Sequence, residues 1–128
     1  MRAREISLGD WVSYKGTPYK ISDDIDERRA KKFRPLRLSK DILRRSGWIH
    51  RNDAHESEIP FIREFISGRE RWHPKDHPGV VLVYGNDKYF YLLVLDQMVP
   101  VVYVHELQRV LKMLGLDSDS IIAEYILP

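Results

Sequence analysis

The sequence predicts an α+β fold: a small N-terminal β module, SH3-like or partial, and an antiparallel sheet packed by a C-terminal helix. Three observations predict it. Trp11-Val12-Ser13-Tyr14 alternates side chains as a half-buried strand does. Val80–Tyr84 and Tyr89–Leu95 are β-branched and aromatic runs around the turn residues Gly85-Asn86-Asp87-Lys88, a hairpin signal. Leu107, Val110, Leu111 and Leu114 recur at helical spacing, with Glu106, Gln108, Arg109 and Lys112 on the opposite side. The chain is accordingly divided into residues 1–37, a β module with a basic segment, and residues 38–128. The second part holds hairpin 80–95 and helix 103–114. The alternative is one compact domain.

The elements follow in order. Leu8–Tyr14 reads as a strand, Lys15-Gly16-Thr17-Pro18 as turn chemistry, and Tyr19-Lys20-Ile21 as the returning strand. Ser22–Glu27 is polar and acidic, a loop or the start of a short helix. Ser39–Arg45 carries both ends of a short helix: Ser39 as N-cap, Leu38 and Leu43 as a hydrophobic staple, and Gly47 at the left-handed C′ position. Asp41 in its first turn and Arg44 and Arg45 in its last match the helix dipole. Two turns are not stable alone in water, so Ile42, Leu43 and Trp48 must pack on something. Ile49–Ser57 reads as a polar loop, 59–67 as helix or strand, and Trp72–Gly79 as a loop broken by Pro74 and Pro78. Helix 103–114 ends at Gly115 but lacks a good N-cap, and 117–128 is a short helix or a final strand. Nearly continuous apolarity in the hairpin predicts strands covered on both faces.

Composition excludes several chemistries. The 128 residues are 43% hydrophobic and 31% charged, ordinary for a globular chain. Zero cysteines exclude disulfides, thiolate metal sites and cysteine nucleophiles. No signal-peptide core follows Met1, and Tyr89–Val104 is interrupted by Asp96, Gln97 and Pro100, short of the ~20 apolar residues a spanning helix needs. A soluble cytoplasmic protein without membrane contact is expected. The net charge of +2 hides an uneven distribution. Residues 1–51 hold 14 Lys/Arg and 7 Asp/Glu, and the excess runs from Arg28 to Arg45. Such a run is a contact surface or merely a solvated face.

No catalytic pattern stands out. His73 and His77 are four apart, but Pro74 and Pro78 deny them the helix that would align them as ligands. His105-Glu106 fails the zinc-protease pattern because Arg occupies position 109. His105 is instead expected to open the helix and hydrogen-bond a neighbouring strand or loop. His50, Asn52, Asp53, His55 and Glu56 are too local for a nuclease-type metal site and read as surface loop. No phosphate-cradling glycine loop and no Gly-x-Ser-x-Gly elbow occur. No catalytic residue, metal or cofactor is expected.

Aromatics beside cations are the stronger feature. Trp11, Tyr14 and Tyr19 interleave with Lys15 and Lys20. Stacking platforms with phosphate contacts use these residue types, although aromatics in short β modules usually fill the core. The candidate contact residues are Trp11, Lys15, Arg28, Arg29, Lys31, Lys32 and Arg34.

Three blocks line up in order: Leu8-Gly9-Asp10-Trp11-Val12; Asp41-Ile42-Leu43 with Gly47-Trp48; and Tyr103-Val104-His105-Glu106-Leu107-Gln108. This pattern resembles an uncharacterised small-protein family of Bacteroidales and their prophages and mobile elements. The resemblance implies an N-terminal β segment, a short helix and a terminal helix, and it carries no activity across. Between Ile21 and Leu36 a charged stretch stands where the family has further strands. The expected function is therefore that of a non-enzymatic interaction or accessory protein of a bacterial genome or mobile element. Its partner would be another protein or a second copy in a homodimer; the alternative is a nucleic-acid-binding module using residues 28–45.

Overall fold

The computed structural model describes residues 1–51, 69–95, 97–117 and 122. The sequence readings at 59–67 and at 118–127 apart from Ile122, and those at Asn52, Asp53, His55 and Glu56, lie outside them. The fold is α+β, with two antiparallel sheets and a C-terminal helix. The chain divides into two compact units, Met1–Ser46 with Tyr103–Pro128, and Gly47–Val102. This differs from the division at residue 37 expected above. The C-terminal helix returns to the N-terminal strands, a pairing of distant segments that local periodicity does not encode.

In the first unit, β1 (Trp11–Tyr14) is the centre of a three-stranded sheet, flanked by β2 (Thr17–Lys20) and β3 (Phe33–Pro35). The β1–β2 turn is only Lys15-Gly16, both at positive φ (52° and 80°), the twist that a two-residue hairpin requires. Thr17 and Pro18 belong to β2 rather than to the turn. Pro18 is tolerated because β2 is an edge strand. Among the described residues this is a partial β module rather than a closed barrel. Residues 22–36 form one short helix, α1 (Glu27–Ala30), and one strand. Asp26 caps α1 by accepting the Arg29 N–H at 2.8 Å.

Helix α2 (Lys40–Arg45) has the ends read from the sequence. Ser39 Oγ accepts the Ile42 N–H at 3.2 Å, Leu38 and Leu43 are both buried, and Gly47 sits at φ 79°. Helix α3 (Val104–Met113) closes with Gly115 at φ 78° and with the Leu116 N–H bonded to the Leu111 carbonyl at 2.9 Å, a Schellman ending. Its start is secured without an N-cap side chain. Glu106 reaches back to the Tyr103 N–H at 2.9 Å, and the Val104 N–H donates to the Leu36 carbonyl at 2.8 Å. The buried stripe of α3 is Val104, Leu107, Gln108 and Leu111. Val110 is only half-buried and Leu114 is 41% exposed, against the expectation that both join the core. Leu114 is the C-cap, where the backbone has already left the helical path.

The second unit is a five-stranded antiparallel sheet ordered as its strands occur: β4 (Ile49–Arg51), β5 (Arg71–His73), β6 (Leu82–Tyr84), β7 (Phe90–Val94) and β8 (Gln97–Val101). The predicted hairpin is β6–β7, with Tyr84 opposite Phe90. Its loop is held by Asp87, which accepts the Tyr89 N–H at 3.1 Å and the Tyr91 hydroxyl. That hydrogen bond lowers the Asp87 pKa and raises that of Tyr91. Adjacent Leu82 and Val83 are both buried, so both faces are covered at β6. Two readings change: Ile49–Arg51 and Trp72-His73 are strands rather than loop. Gln97–Val101, assigned no element from the sequence, forms an edge strand despite Pro100. Edge position is what lets Pro100 in, since its missing N–H is not needed there.

Candidate functional site

Antiparallel register decides which side chains share a face, because directly paired residues point the same way. Val12 pairs with Tyr19 and Pro35, and Tyr14 pairs with Thr17 and Phe33. Tyr14, Tyr19 and Phe33 therefore gather on one face. Ser13 pairs with Pro18 and Arg34, and Trp11 with Lys20, on the other.

On the first face the three rings form a cluster. Tyr19 and Phe33 stack with centroids 5.5 Å apart and planes 25° from parallel; Tyr14 lies tilted at 5.7 Å from Phe33 and 6.0 Å from Tyr19. Phe33 is buried with Val12 and Ile21, so it forms a floor, while both tyrosines are half-buried. Arg29 and Lys32 complete a cleft of about 210 Å3 over this floor. Lys15 places its ammonium 5.3 Å from the Tyr14 ring centroid, within cation–π range. Asp23 holds the Arg29 guanidinium at 3.0 Å and raises its already high pKa.

The sequence-derived contact residues are thus sorted by the sheet. Arg29 and Lys32 line the cleft, and Lys15 lies over the Tyr14 ring that borders it. Arg28, Lys31 and Arg34 are exposed, but Arg34 lies on the opposite face. Trp11 is only 1% exposed and is a core residue rather than a contact residue. Phe33, which completes the ring cluster, went unremarked in the sequence because only the β1–β3 register brings it there. Folding also evens out the charge: the first unit carries 15 Lys/Arg and 11 Asp/Glu, since the acidic tail belongs with it.

The other polar cluster of this unit joins the first and last motif blocks. Gln108 accepts the Trp11 N–H at 2.9 Å and donates to the Gly9 carbonyl at 2.9 Å. Asp10, 4% exposed, accepts from Ser7 N–H at 2.8 Å and from Arg109 at 3.0 Å; Arg109 also donates to the Glu5 carbonyl. Gln108 and Arg109, expected on the solvent side, are instead the residues that dock α3 on β1. His105 does not make the hydrogen bond expected of it through Nδ1, which is buried without a partner, and its ring stacks on Tyr103 at 5.9 Å.

Burial, then the nearby Arg109 charge, lowers the His105 pKa below the ordinary imidazole value; Asp10, Glu106 and Glu5 oppose this more weakly. The unfolded chain therefore binds a proton near pH 6.5 that the folded protein does not. The His105 contribution is fully present above that pH and is lost as pH falls through the folded value. Urea melts between pH 7.5 and 5 should show this loss, and His105→Gln should flatten the profile over that interval. An unchanged profile in the variant would contradict it.

The histidines of the second unit are placed differently from one another. His73 is buried, with Nδ1 donating to the Pro74 carbonyl at 2.9 Å, while His77 sits in the turn that follows. His50 pairs with Glu70 at 3.0 Å and packs its ring on Trp72. Among the described residues no three His, Asp or Glu side chains gather as metal ligands, and no helix is long and apolar enough to cross a membrane.

Fold and cleft together define an α+β protein with an aromatic, cation-lined hollow on its N-terminal sheet. Comparison with protein-family models, with curated proteins and with solved structures yields no match to this chain.

Proposed function

We propose that this chain is a non-enzymatic binding protein that holds an anionic partner in the Tyr14–Tyr19–Phe33 cleft. The observation that carries the reading is the meeting of half-buried tyrosine rings with Arg29 and Lys32 in one cleft, with Lys15 over the Tyr14 ring. The two lysines are placed by separate contacts: Lys32 lines the cleft itself, and Lys15 sets its ammonium over the Tyr14 ring. An acidic protein segment or a second copy of the chain would use the same cations as a nucleic acid, so partner class is a separate matter. The motif likeness to small proteins of Bacteroidales and their mobile elements adds a setting for such an accessory role and no chemistry.

Heparin, a simple polyanion, tests the reading on the intact chain. Lys32→Glu and Arg34→Glu change net charge equally, but only Lys32 lines the cleft. The wild type should be retained and Lys32→Glu should elute at clearly lower salt, with Arg34→Glu close to the wild type. Equal shifts for the two variants, or no retention of the wild type, would overturn the cleft as the binding surface.

A further inference from the structure

The occupant can be narrowed by chemistry, granted the reading of the cleft as the binding surface. We infer that the cleft takes single-stranded nucleic acid, one base against the Tyr14 and Tyr19 rings and the adjoining phosphates on Lys15 and Lys32.

A repeating unit of planar base and phosphate matches what the cleft offers: rings grouped within 6.0 Å of one another, with Arg29 and Lys32 in the same lining and Lys15 over the Tyr14 ring. The two tyrosines are half-buried, so each leaves ring surface open, and Phe33 beneath them keeps that surface from collapsing into the core. Arg29 is oriented by Asp23 and so is held at the cleft wall, whereas Lys15 and Lys32 have no ion-pair partner among the described residues. The cationic surface also outruns the hollow. Lys31 and Arg28 are exposed beside Lys32 and Arg29 in sequence but outside the cleft lining, so a single nucleotide would leave them unused and a strand would not. A duplex fits worse, because its bases are stacked on each other and unavailable to the rings. An acidic peptide would satisfy the lysines but has no regular planar group for the tyrosines.

Fluorescence anisotropy on the full chain tests the inference with four probes of matched charge: labelled oligo-dT, oligo-U, a DNA duplex and poly-glutamate. Single strands should bind more tightly than the duplex or poly-glutamate. Lys15→Glu with Lys32→Glu should lower the magnitude of the salt slope for oligo-dT by roughly 1.4, the share of two phosphate contacts on a single strand. Tyr19→Leu should weaken single-strand binding about 5- to 150-fold, the range for one stacked base, and leave poly-glutamate unaffected. Tyr19→Phe, which keeps the ring, should restore the affinity, and a melt of each variant shows that it is folded. Binding of poly-glutamate as tight as that of oligo-dT, with both lost in the double lysine variant, overturns the nucleic-acid assignment and leaves the cleft standing. Binding of no probe, or binding indifferent to the lysines, overturns both.

Discussion

Trp11→Ala should destabilise the protein by about 3–5 kcal/mol, the range for removing a large aromatic from a packed core. Trp11 is 1% exposed on β1, on the sheet face opposite the cleft. The cost has two parts: the lost burial of the indole, and a cavity that neighbouring backbone cannot fill because β1 is held by a strand on each side. Urea unfolding followed by far-UV circular dichroism measures it. A loss below about 1 kcal/mol would mean that the indole is not packed as described. The same result would separate Trp11 from binding. At a denaturant-free temperature where the variant is still folded, its affinity for the anionic probes should be unchanged.

Gln108→Leu should cost about 2–4 kcal/mol although it preserves volume and adds apolar surface. The amide satisfies two backbone groups at once, the Trp11 N–H and the Gly9 carbonyl, across a separation of 97 residues. Leucine leaves both without partners, and each unsatisfied buried backbone group costs about 1–3 kcal/mol. The replacement should also loosen α3 on β1, giving faster amide exchange at Trp11 than at Val12. A variant as stable as the wild type, with Trp11 exchange unaltered, would show that water replaces the amide without loss.

Much of the local structure was legible in the residues. The Ser39 cap, the Leu38–Leu43 staple, Gly47 and Gly115 as helix stops, and the β6–β7 hairpin all arise within a few neighbouring positions. There the determining energies are backbone hydrogen bonding, φ preference and turn chemistry. Short strands were less legible. Arg71–His73 and Gln97–Val101 carry charge, Pro or Gln, and they are strands because neighbouring strands supply partners. The candidate cleft was half legible. Tyr14, Tyr19, Lys15, Arg29 and Lys32 could be singled out by type, but Trp11 and Arg34 could not be separated from them, nor Phe33 added.

The α+β class, both ends of α2, the glycine stop of α3 and the hairpin follow from the residues alone, because each depends on contacts between residues close along the chain. That α3 joins β1, that Gln108 is buried, and which cations meet the tyrosine rings are settled by the folded chain instead. Those outcomes rest on register and on hydrogen bonds between distant segments. A shift of one residue in the pairing would reverse every side chain of β1, placing Trp11 on the cleft face and Tyr14 on the other.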